Sequence, residues 1–276
     1  MTTQISLGLS PCPNDTFIFH ALLHGLVPAL AAPIVPHFAD VEELNALARQ
    51  QQLDITKISL GVVPHIMRGY VLLNAGAALG WSCGPLVVAR EDLPQQAWRT
   101  ARMATPGAFT TANLLLDMHG GFQGPRIHLL FNEIMPAVSR GDVDMGIIIH
   151  EGRFTYERMG LKNILDMGEW WEGTFRIPLP LGVIAARRDL PVAGDMQTAI
   201  AASLAHARAH PEDSRNFIRA HAQEMDEDVT RAHIATFVTD FSLDLGPQGR
   251  AAIATLAGRA AALHGLQLPA EGLFLS

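Results

Sequence analysis

Gly84-Pro-Leu-Val-Val-Ala-Arg-Glu-Asp-Leu-Pro94 and Pro180-Leu-Gly-Val-Ile-Ala-Ala-Arg-Arg-Asp-Leu-Pro191 are two versions of one pattern, an apolar run that closes on Arg, Asp-Leu and Pro. A chain that leaves one lobe along such a strand and returns along a matching one builds a two-stranded hinge. The pair therefore predicts a first lobe from residues 1–91 and 179–276, and an inserted second lobe over 92–178. Working outward, short β-branched runs alternate with longer amphipathic stretches, which signals α/β units around largely parallel sheets. Strands are predicted at 5–9, 34–38, 55–59, 70–73, 86–89, 126–131, 145–149 and 182–186. Asp40-Val-Glu-Glu43 reads as a helix start with Asp40 as N-cap. From Val192 onward the periodicity is helical, with helices predicted at 198–209, 211–220, 228–240 and 247–263.

Composition narrows the function. With 276 residues, 49% hydrophobic and 17% charged, the chain has a folding composition. Its net charge of −7 argues against nucleic acid or an anionic membrane as partner, because both need a cationic patch. A small-molecule substrate is the expected partner. Cys12 and Cys83 are the only cysteines and belong to no Cys-x-x-Cys pair, so disulfide scaffolds and zinc modules are not predicted. Met1-Thr2-Thr3-Gln4 has no basic n-region, which predicts a cytoplasmic protein. The most apolar window, 17–36, is broken by His20, His24, Gly25 and three prolines, and reads as a buried helix, a loop and a strand rather than a spanning helix.

Two α/β lobes on such a hinge make a type-two periplasmic-binding-protein-like fold, whose ligand sits between the lobes outside the carboxyl ends of the strands. Polar residues at those ends become candidates. Ser10-Pro-Cys-Pro-Asn-Asp-Thr16 follows the first strand and precedes a helix predicted at 17–24, with Asn14, Asp15 or Thr16 able to cap it. Asn14 is also a candidate ligand contact. Lys57-Ile58-Ser59 ends the third strand, so Lys57 and Ser59 share a face. Ser59 is a hydrogen-bond donor for the cleft, while Lys57 reads equally well as an edge residue snorkelling to water. Thr110-Thr111-Ala112 leads into a helix predicted at 114–118, where one threonine caps and the other is free to bind.

Ile147-Ile-Ile-His150-Glu-Gly-Arg-Phe-Thr155 carries the strongest chemistry. Three isoleucines drive a strand into the core, and His150 emerges at its carboxyl end, where a partly desolvated neutral imidazole is a general base near pH 7. The spaced pairs His20/His24 and His206/His210 lack the Glu of a metalloprotease motif and read as structural or exposed. Trp170-Trp171 either walls an aromatic ligand or packs beneath the hinge. No Gly-x-Gly-x-x-Gly or Walker loop indicates a nucleotide cofactor.

Taken together, Ser-Pro-Cys-Pro-Asn-Asp-Thr-Phe-Ile-Phe at 10–19, Thr-Lys-Ile-Ser at 56–59, Ala-Leu-Gly at 78–80, Thr-Thr-Ala at 110–112 and Ile-Ile-His-Glu-Gly-Arg-Phe-Thr-Tyr at 148–156 resemble the 1,4-dihydroxy-6-naphthoate synthase family of menaquinone biosynthesis by the futalosine route. The resemblance implies the two-lobed fold and the conversion of cyclic dehypoxanthine futalosine to 1,4-dihydroxy-6-naphthoate with release of a small sugar-derived fragment. It also implies a carbon–carbon lyase that uses no metal or organic cofactor. Matched by motif, the catalytic base falls on His150, and ligand contacts fall on Lys57, Ile58, Ser59, Thr111 and Ala112. Gly152 departs from the serine common in the family, which loosens the turn after His150 without removing the base. Two alternatives share the scaffold, chorismate dehydratase of the same pathway and a non-catalytic solute-binding protein. The Ile-His150-Glu joint and the Ser10-Pro-Cys-Pro loop favour the naphthoate enzyme, and a binding protein is expected to carry a leader or lipid anchor.

Overall fold

A computed structural model describes residues 4–28, 30, 32–222 and 226–275. The expectations for Met1, Thr2 and Thr3, and for two positions in the loop of the 17–36 window, lie outside the described residues. The strands are β1 (Ile5–Leu9), β2 (Ile34–Phe38), β3 (Ile55–Ser59), β4 (Tyr70–Leu72), β5 (Ala78–Gly80), β6 (Leu86–Ala89), β7 (Met103–Thr105), β8 (Arg126–His128), β9 (Met145–Ile148), β10 (Lys162–Asp166) and β11 (Leu179–Arg187). They form two sheets, one ordered β2-β1-β3-β11-β4 with β5 also on β11, the other ordered β10-β6-β9-β7-β8. Both sheets are mixed rather than largely parallel. In the first, β11 runs antiparallel to β3, β4 and β5; in the second, β6 runs antiparallel to β9 and β10.

Four strands coincide with the expected bounds. The one predicted at 126–131 is shorter, because Phe131 opens the helix Phe131–Arg140. The strands β5, β7 and β10 were not predicted: the first two are three residues long, and Lys162-Asn-Ile-Leu-Asp166 carries polar residues at half or more of its positions. The expected helix at 17–24 starts earlier, at Pro13, with Cys12 as N-cap. Proline is at home there, since its missing N–H would be an orphan at the first helical position. Asn14, Asp15 and Thr16 thus lie inside the first turn and none of them is the cap.

The hinge also differs from expectation. The strand that pairs with the returning chain is β5, with Leu179 opposite Gly80 and Gly182 opposite Ala78. Leu86–Ala89 instead lies between β9 and β10 in the second sheet, fully buried, as an uninterrupted apolar run should be. By sheet membership the second lobe therefore begins before residue 92, and the chain crosses between lobes over 81–85 and 167–178. The crossings touch: a Cβ on Gly84 would lie 2.2 Å from the Gly168 nitrogen, so no larger residue fits.

Ile5, Leu7, Leu9, Ile184, Ile200 and Leu204 form one core, in which the helix Ala193–Ala209 covers the first sheet and the helix Pro13–Leu23. A second apolar cluster runs through both lobes, joining Ile58 and Leu60 to Val87, Leu115, Ile147 and Trp171. Trp171 is fully buried and its Nε1–H donates to the Pro178 carbonyl at 3.2 Å, which makes it hinge packing rather than a ligand wall. Truncating a buried Trp to Ala costs about 3–5 kcal/mol. Among the described residues, no helix is long and apolar enough to cross a membrane.

Candidate active site

Between the lobes lies a cavity whose empty space, open mouth included, is about 730 Å³. Asn14, Lys57, Ile58, Ser59, Thr110, Thr111, Ala112 and His150 all line it. Segments separated by up to 136 positions in sequence, Asn14 to His150, thus converge because β1, β3 and β9 end there and the helix Thr111–His119 begins there. His20, His24, His206, His210, Trp170 and Trp171 do not reach it.

Lys57 is buried, not snorkelling. Its Nζ donates to Asp15 Oδ1 at 2.6 Å and to the Gly76 carbonyl at 3.2 Å. Asp15 Oδ2 accepts from the Ser10 N–H at 3.2 Å, and its Oδ1 also accepts from Asn14 Nδ2 at 2.9 Å. That last bond fixes the Asn14 amide, because a carboxylate paired with an ammonium only accepts. Asn14 Oδ1 must then accept, and its partner is His233 Nε2 at 3.0 Å. Lys57, Asp15, Asn14 and His233 form a continuous buried chain along one wall.

Ser59 is held by Asn45, which donates Nδ2–H to Ser59 Oγ at 3.2 Å and accepts the Ser59 N–H at 2.9 Å. Its hydroxyl proton has no partner among the described residues. Thr110 is the cap: its Oγ1 accepts from Asn113 N at 3.3 Å and donates to the Gly107 carbonyl. Thr111 is not free as expected. Its Oγ1 donates to the Leu181 carbonyl at 2.5 Å and accepts the Leu60 N–H at 2.9 Å, stitching the second lobe to the first. What the segment offers a ligand is backbone: the first N–H groups of a helix lack intrahelical partners, and those of Thr111 and Ala112 stand at the cavity wall. Ile58 contributes little beyond its backbone, its side chain being in the core.

His150 follows β9 by two residues and has φ +56°, a left-handed conformation costly for a non-glycine residue. The ring stacks on Phe131, with centroids 4.9 Å apart and planes 23° apart. Its Nδ1 touches Cys12 Sγ at 2.5 Å, while Nε2 makes no hydrogen bond among the described residues. Desolvation, followed by the Lys57 charge, lowers its pKa to about 4, so the imidazole is neutral at pH 7. Burial and then the charge of His150 push the His233 pKa well below the ordinary range. The two rings lie 6.1 Å apart.

Arg153 also lines the cavity, but it donates to the Gly84 carbonyl at 2.6 Å and to Asp166 Oδ2 at 2.7 Å, holding the hinge crossing. Both cavity cations are therefore neutralised by aspartates. An anionic ligand would be received by hydroxyls and helix-terminal N–H groups. Cys12, His150 and Glu151 are metal-ligand types within 4.8 Å of one another.

Sequence reasoning missed His233, Cys12 and Phe131. His233 had a signal: Val229, His233 and Phe237 form a buried stripe at a spacing of four on the helix Glu227–Phe237, which places an imidazole on an inward face. Cys12 had one as well, a cysteine at the N-cap where Ser, Thr, Asp or Asn is preferred. Phe131 was assigned to a strand end, and no local pattern marked it as the platform for His150.

The family described as menaquinone biosynthesis matches residues 5–262. A protein of Thermus thermophilus named 1,4-dihydroxy-6-naphtoate synthase is 46% identical over 267 residues, covering 96% of each chain. One of the same name from Streptomyces coelicolor is 46% identical over 275 residues, covering 97% of this chain and 96% of that one. Among solved structures, a protein of Archaeoglobus fulgidus aligns with a TM-score of 0.88 at 31% identity, covering 96% of this chain and 98% of that one. The periplasmic aliphatic sulphonate binding protein of Escherichia coli aligns with a TM-score of 0.66 at 12% identity, covering 96% and 89%, which shows the binding-protein fold alone. With the match running through both lobes and the whole cavity wall, the chain belongs to the menaquinone biosynthesis family, among relatives named 1,4-dihydroxy-6-naphtoate synthase.

Proposed function

We propose that the protein is a cytoplasmic carbon–carbon lyase that converts cyclic dehypoxanthine futalosine to 1,4-dihydroxy-6-naphthoate, releasing a small sugar-derived fragment and using no metal or organic cofactor. The observation that carries the reading is the neutral imidazole of His150 at the wall of an inter-lobe cavity, in a chain 46% identical to relatives of that name. His150 is the general base. Its proton abstraction opens an elimination, and the developing negative charge needs donors already in place. The Ser59 hydroxyl and the N–H groups of Thr111 and Ala112 would serve as those donors, with Lys57 and Asn14 lining the same cavity. Aromatisation of the product ring supplies much of the driving force, so the protein's share is to position, deprotonate and exclude water.

The test is to incubate the purified protein with the cyclic futalosine derivative and follow a dihydroxynaphthoate chromophore together with the mass of the product. Time-dependent appearance of both supports the reading. Binding without turnover would favour a solute-binding protein, and turnover of chorismate instead would favour the dehydratase.

A further inference from the structure

Cys12 occupies an N-cap position yet makes no side-chain capping bond. Its thiol reaches across the cleft instead, from the end of β1 in the first lobe to Nδ1 of His150 in the second. The ring is then held on three sides, by its left-handed backbone, by Phe131 on one face and by Cys12 at Nδ1. Of the two ring nitrogens, Nε2 is the one without a hydrogen bond among the described residues. A Cys–His contact is also what a thiol nucleophile and its base look like, so the two roles must be separated on electrostatics. A nucleophilic cysteine needs electropositive surroundings. Cys12 has the reverse: burial, then the carboxylates of Glu151, Asp15 and Asp40, push its thiol well above the ordinary range.

We propose that Cys12 is a positioning residue whose thiol holds Nδ1 of His150, keeping Nε2 as the nitrogen that takes the substrate proton. A neutral imidazole has one N–H. If Nδ1–H donates to the sulfur, Nε2 carries the lone pair and can act as base; when Nε2 takes a proton, the same Nδ1–H···S contact persists in the imidazolium. A neutral thiol suits the task because it is a weak partner: a thiolate would draw the ring into an ion pair and abolish the base. The charged and titratable groups around the ring are Lys57 on β3, His233 on the helix Glu227–Phe237, Cys12 and Asp15 at the start of the helix Pro13–Leu23, and Glu151 beside His150. This inference rests on His150 being the base.

The test compares wild type, Cys12→Ala and Cys12→Ser by steady-state kinetics over pH and by nitrogen NMR of labelled histidine. Wild type should show His150 as the neutral Nδ1–H tautomer at pH 7. In Cys12→Ala, kcat should fall about tenfold to a hundredfold with KM nearly unchanged, as expected for a misplaced reacting group. Its tautomer preference should be lost, and the acid limb of kcat/KM should move up toward the ordinary histidine value as water enters beside Nδ1. Cys12→Ser should restore most of the rate. Loss of all turnover in the serine variant, or a covalent adduct on Cys12 by mass spectrometry, would make it a nucleophile and overturn the proposal. An alanine variant with unchanged kcat, acid limb and tautomer would overturn it too. Should His150 not be the base, His150→Asn would keep its turnover, whereas the NMR arm would still report whether Cys12 holds the ring.

Discussion

The Lys57 ammonium and the Asp15 carboxylate form an ion pair of 2.6 Å with both side chains almost wholly out of solvent. Removing one partner of such a pair strands the other charge in a poorly solvated site, at a cost of about 3–5 kcal/mol. Lys57→Met and Asp15→Asn should each lower stability on that scale by denaturant unfolding. The double substitution Lys57→Met with Asp15→Leu should lose less than the sum of the two, because it leaves no unpaired charge.

Thr111 joins the lobes through Leu60 and Leu181. Thr111→Val keeps the shape and removes the bonds to the Leu60 N–H and the Leu181 carbonyl, which keep only their bond to each other at 3.3 Å, a net loss of about 0.5–1.5 kcal/mol per bond. The expected result is weaker ligand binding with a lower melting temperature, both read on one preparation. Ser59→Ala, in contrast, leaves Asn45 one acceptor short and should weaken ligand binding by about 1 kcal/mol.

His233 gives the protein an acid sensitivity. Its folded pKa lies well below the ordinary 6.5, so between those two values the unfolded chain binds a proton that the folded chain refuses. The stability it contributes is complete above about 6.5 and is lost as pH falls below it. Thermal melting from pH 7.5 down to 5 should show a steady decline in wild type, and His233→Gln should flatten that slope. His150, lowered to about 4, adds to the same decline in its unliganded form.

The acid limb of kcat/KM reports the free protein's base. With His150 at about 4, activity should persist well below pH 6.5 and fall only as the ring takes its proton near 4, provided the fold holds; stopped measurements that keep unfolding out of the assay time separate the two.

Much of this was readable from the chain. Ile5–Leu9 and Ile55–Ser59 are short segments that carry isoleucine or leucine between turn and loop residues, and the polar residues at strand ends mark the cleft, which is why Lys57, Ser59 and His150 are expected together from the sequence. What was hidden depends on tertiary contact. Ala78–Gly80 has no strand signature of its own and becomes one by pairing with Leu179–Gly182. Which of two adjacent threonines caps a helix turns on one residue of register, and the Thr111 hydroxyl found carbonyl and amide partners in the other lobe. His233 and Cys12 are single side chains whose neighbours lie more than 130 positions away, from Asn14 to His233 and from Cys12 to His150. No local pattern can express such pairs.

The central claim, that His150 is the base of a carbon–carbon cleavage, is tested most directly by turnover of a His150→Asn preparation shown to be folded and to bind the cyclic futalosine derivative. Asparagine is the right replacement because it tolerates the left-handed backbone at this position better than most residues. The account predicts that naphthoate formation falls about 10²- to 10⁴-fold while ligand affinity and melting temperature stay close to wild type; turnover within a few-fold of wild type in that same preparation would contradict it.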